Sequence, residues 1–232
     1  PNLNPPVAQN DSEAVSANGT LSDSVLLNNG NGADTDPNGN PMAVTQVNLT
    51  SFEPGVPMVL PSGALLTMNS DGSYVYNPNG QFQSLAAGAT AVDTFSYTVN
   101  DGQGGNDTAT VLVTVTGVND APLAVSDNFS VNEDSVVGLA GILVNDSDVD
   151  GDGISIDQSG AQGTNGGHFS FDDSGVLIFN PNGEFDDLAV GESRTTGFTY
   201  TLSDSQGASS TATVTVTVNG VNDNPLGVDD HL

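Results

Sequence analysis

Residues 146–152 form the densest group of candidate metal ligands in the chain. Four carboxylates alternate with other residues around a glycine, in the order Asp146-Ser147-Asp148-Val149-Asp150-Gly151-Asp152. Crowding so many like charges is unfavourable unless a cation lies among them. Oxygen ligands at alternate positions of a turn that a glycine permits are what a hard divalent ion, above all calcium, requires. The stretch therefore predicts a calcium-binding loop.

A second stretch has the same arrangement earlier in the chain. It contains Asp34, Asp36 and Asn38, with Gly39 in the place of Gly151. Both stretches match the first seven positions of an EF-hand loop, but the twelfth position is Asp157 in one and Thr45 in the other, where an EF-hand has glutamate. No helical pattern flanks either stretch, so a calcium loop between strands is favoured. The alternative is an ordinary turn rich in Asp and Gly.

The composition excludes several classes of partner. The chain of 232 residues has a formal net charge of -28, and its single basic side chain is Arg194. Nucleic acid and anionic membrane surfaces are therefore excluded as partners, because nothing could neutralise their phosphates. The chain has no cysteine and hence no disulfide. No run of about 20 apolar residues is present, so we expect no membrane insertion.

The chain repeats itself. Residues 77–82, 95–101 and 117–120 recur at 180–185, 198–204 and 220–223, all at one offset of 103 residues. The beginnings of the two repeats align at a larger offset, because repeat 1 has extra residues between Val47 and Leu65. Pro225 to Asp230 matches Pro122 to Asp127 and predicts the start of a third repeat. Since the chain begins without methionine or a signal-peptide pattern, we expect it to be a piece of a longer protein.

Each repeat is predicted to be all-β. Alternating apolar residues mark two long strands joined by a hairpin in each repeat, around Phe95–Val99 and Ala109–Val115 and again around Phe198–Leu202 and Ala212–Val218. About five shorter strands precede each hairpin. Eight aromatic residues are expected in the cores: Tyr74, Tyr76, Phe95, Tyr97, Phe179, Phe185, Phe198 and Tyr200. The fold class indicated is two tandem antiparallel immunoglobulin-like β-sandwiches.

In combination, these motifs resemble the cadherin-like and VCBS repeats of large secreted bacterial adhesins of the RTX type. The resemblance is carried by residues 145–152, 71–78, 95–102 and 117–122 and covers essentially the whole chain. It implies five segments along the chain. These are an upstream linker remnant (1–6), repeat 1 (7–117), a linker (118–122), repeat 2 (123–220), and a further linker with the start of a third repeat (221–232).

The resemblance also implies calcium ligands at the junctions between repeats. For the junction of repeats 1 and 2 they are Asn119, Asp120, Asp146, Asp148, Asp150 and Asp204, to which the loop pattern itself adds Asp152. Upstream of repeat 1 they are Asp34, Asp36 and Asp101, to which the loop pattern adds Asn38, and downstream of repeat 2 they are Glu133, Asp186, Asp187, Asn222 and Asp223. Repeat 1 has Ala17 in place of Glu133 and Gln83-Ser84 in place of Asp186-Asp187. The central junction is therefore expected to hold fewer ions than a full cadherin junction, namely one.

The function that follows is structural. We expect calcium-stiffened extender or adhesion modules of a secreted, extracellular or cell-surface bacterial protein, whose partners are calcium and the neighbouring repeats. The alternatives are a carbohydrate-binding module that contacts a cell-surface glycan, and adhesion to another copy of the protein. The lack of tryptophan weakens the glycan alternative. An enzyme is not expected, because His168 and His231 are isolated and no nucleophile–histidine–acid set is apparent.

Overall fold

The computed structural model describes residues 4–223, which form strands and turns without a helix. Within this range, no helix is therefore available to cross a membrane. The chain divides into two compact units, Pro1–Asn119 (unit 1) and Asp120–Leu232 (unit 2). The predicted start of a third repeat at 225–230 and His231 lie outside the described residues.

In unit 1, the described residues 4–119 form two sheets built from nine strands. The strands are β1 (Asp11–Ser16), β2 (Leu21–Ser24), β3 (Ala43–Val47), β4 (Thr50–Ser51), β5 (Pro57–Val59), β6 (Leu65–Met68), β7 (Ser73–Asn77), β8 (Thr90–Asn100) and β9 (Asn106–Thr116). One sheet has the order β1-β9-β8-β3-β4 and the other β2-β7-β6-β5. Strands β8 and β9 form the predicted hairpin, with Thr90 opposite Thr116 and Asn100 opposite Asn106.

The first strand of unit 1 pairs in parallel with its last strand. The register runs from Asp11 opposite Val111 to Ser16 opposite Thr116. The core of the unit is formed by the alternating apolar residues of β8 and β9 together with Leu66, Tyr74 and Tyr76 of the other sheet. The rings of Tyr74 and Phe95 meet edge to face at 5.5 Å, a favourable aromatic geometry.

Unit 2 repeats this plan with eight strands among residues 120–223. They are β10 (Asp127–Asn132), β11 (Val137–Leu139), β12 (Ser155–Ile156), β13 (Ala161–Gln162), β14 (His168–Phe171), β15 (Leu177–Asn180), β16 (Ser193–Ser203) and β17 (Ser209–Asn219). The sheet orders are β10-β17-β16-β12 and β11-β15-β14-β13. Strand β10 again pairs in parallel with the last strand, β17. Phe169, Phe179, Phe185 and Phe198 contact one another in the core.

The predicted fold class, two tandem immunoglobulin-like sandwiches, is confirmed. All eight aromatic residues predicted in the cores are buried, with at most 8% of any of them exposed. The strand pairing is not wholly antiparallel, because β1 and β10 each run parallel to the last strand of their unit. The extra residues of repeat 1 form the short strands β4 and β5, and β13 in unit 2 was not anticipated either.

Candidate metal centre

The loop between β11 and β12 brings three carboxylates together in unit 2. Asp148, Asp150 and Asp152 each place an oxygen so that these atoms all lie within 4.8 Å of one another. The backbone amides of Asp150 and Asp152 donate hydrogen bonds to Asp148 Oδ1, at 2.9 and 3.2 Å. Gly151 has a φ of 77°, which favours glycine and lets the loop fold back on itself. The backbone thus turns three like charges toward one point.

Each of these aspartates has one oxygen that could bind a cation. Asp148 Oδ2, Asp150 Oδ1 and Asp152 Oδ2 are buried, and none of them has a hydrogen-bond partner among residues 4–223. The other oxygens have structural roles: Asp150 Oδ2 accepts from the Asp120 amide at 2.7 Å, and Asp152 Oδ1 accepts from Ser205 Oγ at 3.1 Å. Buried carboxylate oxygens without a hydrogen bond are costly. A divalent cation would remove this cost.

Two predicted ligands of the same unit have other hydrogen-bonding roles. Asp146 accepts from the Val125 amide at 2.7 Å and from the Tyr200 hydroxyl at 3.1 Å. Asp204 is buried, and its Oδ1 accepts the amides of three residues of the β16–β17 turn at 2.6–2.9 Å. Neither belongs to the group of three. Of the predicted linker ligands, Asp120 is tied to Asp150 through its amide, and Asn119 is the partly buried last residue of unit 1.

The corresponding loop of unit 1 has the same shape but less charge. Asp36 Oδ1 accepts the amides of Asn38 and Asn40 at 2.8 and 2.9 Å, as Asp148 does in unit 2. Asparagines stand where unit 2 has Asp150 and Asp152, and the side-chain amide of Asn38 donates to the Asn4 carbonyl at 3.1 Å. Asp36 Oδ2 is buried without a hydrogen bond within the described range. Only one carboxylate is therefore aimed into this loop.

Two further predicted ligands of unit 1 are buried. Asp34 accepts from the Gln9 amide at 2.7 Å and from the Tyr97 hydroxyl. Burial is the main reason that the pKa of Asp34 is raised. Asp101 is buried and its Oδ1 accepts two amides of the β8–β9 turn, from Gln103 and Gly105, each at 2.8 Å. Both side chains thus have a structural role in the unit.

The predicted downstream ligands of unit 2 are not gathered into one cluster. Glu133 is 2% exposed, its Oε1 accepts the Val221 amide at 2.7 Å, and its Oε2 is buried without a hydrogen bond from any described residue. Asp187 forms an ion pair with Arg194 at 2.5 Å, which lowers its pKa. Asp186, Asn222 and Asp223 are exposed. Glu133 is the buried ligand candidate at this end.

Two aspartates that the sequence did not identify lie close to the predicted ones. Asp11 begins β1 and is fully buried, and burial together with the charge of Asp34 raises its pKa to about 7. Asp127 begins β10 at the equivalent position and has a raised pKa for the same main reason, burial. Each lies beside a strand tyrosine, Tyr97 or Tyr200, whose hydroxyl interacts with it. The signal that could have found them is their shared position in the repeat alignment.

Comparison with known proteins identifies the family. A family model described as a bacterial cadherin-like domain matches residues 3–117 and again residues 119–220. No curated protein sequence matches the chain.

Similar solved structures are extracellular fragments of cadherins. Mouse protocadherin-24 EC1-3 is 16% identical over 95% of this chain and 71% of that chain, with a TM-score of 0.44. Drosophila N-cadherin EC1-4 is 18% identical over 94% of this chain and 50% of that chain, with a TM-score of 0.46. Human mucin-like protocadherin EC1-2 is 16% identical over 93% of this chain and 98% of that chain, with a TM-score of 0.44. Because the family model covers nearly the whole chain in two consecutive copies, the chain belongs to the bacterial cadherin-like domain family.

Proposed function

We propose that the two units are calcium-binding extender and adhesion modules of a bacterial secreted or cell-surface protein, and that calcium stiffens the linker between them. The proposed repeats are 7–117 and 123–220, joined by the linker 118–122. Their role is structural rather than enzymatic. Membership of a family of cadherin-like domains, present here as a tandem pair, supports adhesion or spacing as the general role.

The observation that carries the proposal is the set of three buried oxygens of Asp148, Asp150 and Asp152. Three carboxylates at this separation repel one another strongly in a partly buried site. The single basic side chain of the protein, Arg194, is paired with Asp187 and does not neutralise them. A bound cation is the remaining way to stabilise the charged form.

The chemistry of the site favours calcium over other common ions. All candidate ligands are oxygens, which excludes the nitrogen and sulfur environment that zinc prefers. The ligands come from alternate positions of one flexible loop, which suits the variable coordination of calcium better than the rigid octahedron of magnesium. Sites of this kind in extracellular modules bind calcium at about 0.1–1 mM.

The linker is the segment that calcium would restrain. The Asp120 amide already donates to Asp150, one of the three clustered aspartates. An ion bound to the cluster that also took an oxygen from Asn119 or Asp120 would hold the linker to unit 2. Without the ion, repulsion among the carboxylates would loosen this attachment. Since Ala17 replaces Glu133 in unit 1, we propose a single ion at this junction.

The test is a calcium titration of the whole chain by calorimetry, with magnesium present as competitor. We expect binding in the millimolar range or tighter, and D150N should weaken the tightest site by about tenfold or more, because it removes one charged ligand. The matched control is D173N, which removes the same charge from an exposed turn of unit 2. X-ray scattering should show a narrower range of particle dimensions with calcium than with chelator.

The proposal fails if the protein takes up no calcium at 10 mM, or if D150N and D173N have the same affinity. Identical scattering curves in calcium and in chelator would disprove the stiffening of the linker, even if calcium binds.

A further inference from the structure

We propose that unit 1 contains a second kind of cation site, buried within the unit, whose charged ligands are Asp11 and Asp34. The carbonyls of Gln9 and Val25 and the hydroxyl of Tyr97 complete its set of oxygens. This site differs from the loop site of the proposed function, since it lies in the other unit and its ligands come from β1, β8, the segment before β1 and the segment after β2. It therefore does not depend on that proposal.

The first observation is the state of Asp11. Its side chain is 0% exposed, and neither of its carboxylate oxygens has a hydrogen bond of acceptable geometry from any residue in the range 4–223. Burial raises its pKa most, the charges of Asp34, Glu13 and Asp23 raise it further, and the neighbouring Tyr97 hydroxyl lowers it. A fully buried carboxylate among other carboxylates is strongly destabilising unless a positive charge accompanies it. Arg194, the protein's one basic side chain, is bound to Asp187 in unit 2.

The second observation is a surplus of oxygens around one hydrogen. Four oxygens lie within 3.2 Å of the Tyr97 hydroxyl: the Gln9 carbonyl at 2.8 Å, the Val25 carbonyl at 3.2 Å, and Asp34 Oδ1 and Oδ2 at 3.1 and 3.0 Å. A tyrosine hydroxyl donates one hydrogen. It can therefore satisfy one of these four oxygens well, and of the other three Asp34 Oδ1 also accepts the Gln9 amide at 2.7 Å.

The separations match those within a coordination shell. When ligands lie about 2.3–2.6 Å from a calcium ion, adjacent oxygens of its shell are about 2.8–3.4 Å apart. The oxygens around Tyr97 are spaced 2.8–3.2 Å from its hydroxyl oxygen. Two carboxylates, two carbonyls and a hydroxyl form a hard ligand set with a charge of about −2. The geometry thus points to a divalent cation, calcium in the first instance.

Unit 2 provides an internal comparison, because there an amide supplies hydrogens that unit 1 lacks, and only Oδ2 of the Asp127 carboxylate is left buried without a hydrogen bond from any described residue. The side-chain amide of Asn145 donates to the Val125 carbonyl and to Asp127 Oδ1, each at 3.2 Å. Val125 and Asp127 are the counterparts of Gln9 and Asp11, and Tyr200 is the counterpart of Tyr97. In unit 1 the residue that corresponds to Asn145 is Ala33, which has no donor. Unit 1 therefore needs a cation where unit 2 has an amide.

The experiment uses terbium(III) as a luminescent substitute for calcium, since a tyrosine at the site sensitises its emission. The starting protein is the full chain with Tyr200→Phe, which removes the tyrosine beside Asp146. We expect terbium emission that calcium quenches by competition, and we expect D11N to reduce it at least fivefold. D127N is the matched control at the equivalent position of unit 2 and should leave the emission unchanged. Equilibrium dialysis should show one fewer calcium bound by D11N than by the starting protein.

A second variant tests the site without removing any of the proposed ligands. Ala33→Asn places an amide where unit 2 has Asn145, on an exposed position that should not disturb folding. It should weaken the terbium signal at least fivefold. The proposal is overturned if D11N retains the full calcium count, whether or not its emission changes, or if A33N binds as tightly as the starting protein. The loop site is checked separately by D150N, so that failure of one site is distinguishable from failure of the other.

Discussion

Individual aspartates in this protein divide their two oxygens between two tasks. Asp36, Asp101, Asp148 and Asp204 each use one oxygen to accept the backbone amide two residues later, which builds a tight turn. In Asp36 and Asp148 the second oxygen is buried without a hydrogen bond, as judged over the described range. A glutamate could not reach back to its own turn in this way. The bias toward aspartate therefore reflects a dual role, in which the residue that shapes a loop also presents a ligand.

A dependence of stability on pH follows from Asp11. Its pKa is about 7 in the folded protein and 3.8 in an unperturbed chain. Between these values the folded state holds the additional proton, so stability should fall as the pH rises from about 4 to about 7. In chelator we expect a loss on the order of 2 kcal/mol from this group. Urea denaturation at pH 5 and pH 8 measures it.

The matched variants for this pH effect are D11N and D173N. D11N removes the titrating group and should flatten the profile, whereas D173N removes an exposed acid and should keep it. If the D11N protein loses as much stability between pH 5 and pH 8 as the wild type does, Asp11 does not cause the effect.

The sequence predicts the loop residues as metal ligands, but it does not point to Asp11 or Asp127. Asp148, Asp150 and Asp152 were predicted because their spacing is visible along the chain. Asp11 lies in a run of polar residues, 9–13, and so has the sequence pattern of a solvent-facing position. Its burial depends on the loop at 28–34, since Ser12 bonds to Asn29 and Asp11 pairs with Gly30. That contact between distant segments could not be derived from residue types.

At the scale of the strands, the long hairpins were the most predictable feature. Strands β8 and β9, and β16 and β17, carry eleven residues each with clear alternation. The strands missed were β4, β5 and β13, which have two or three residues and lie at or next to the sheet edges. Alternation also carries no information on direction, because parallel and antiparallel strands share the same period of two. The parallel pairing of β1 with β9, and of β10 with β17, was therefore not predicted.

The glycine that directly follows the last strand of each unit is expected to be intolerant of substitution. A Cβ at Gly117 would lie 2.3 Å from the Leu85 carbonyl oxygen, and one at Gly220 would lie 2.3 Å from the Ala189 carbonyl oxygen. Both obstacles are backbone atoms, which cannot rotate away. We expect G117A and G220A each to cost about 2–4 kcal/mol of the unfolding free energy of their own unit.

Chemical denaturation in chelator measures this cost, and G153A is the control because its Cβ would meet no atom within 4 Å. Equal stability of G117A and G153A would mean that the turn after β9 can move to accept a methyl group.

At the scale of the whole molecule, charge is the dominant property. A net charge of -28 on 232 residues gives strong self-repulsion in the compact state. Each unit has its own hydrophobic core to oppose it. Fold class and family could be predicted from sequence because the repeat, the alternation and the acidic motifs all agree. The sequence does not show which carboxylates are satisfied by hydrogen bonds and which lack a partner. Only the three-dimensional structure distinguishes them.

Salt should therefore stabilise the protein when divalent ions are removed. Raising sodium chloride from about 0.01 to 0.5 M shortens the Debye length from about 30 Å to under 10 Å and screens the repulsion. We expect the melting temperature in chelator to rise by about 5 °C or more, and by less than half of that in 5 mM calcium. Thermal melts followed by circular dichroism provide the measurement. A melting temperature in chelator that is independent of salt would show that repulsion does not limit stability.

The parallel pairing of β1 with β9, and of β10 with β17, has a mechanical consequence. Because the first and last strands of each unit lie side by side and point the same way, tension on the two ends of a unit pulls these strands past each other along their length. The hydrogen bonds of six residue pairs then share the load at once instead of opening one after another. Each unit is thus built to resist stretching along the line between its two ends.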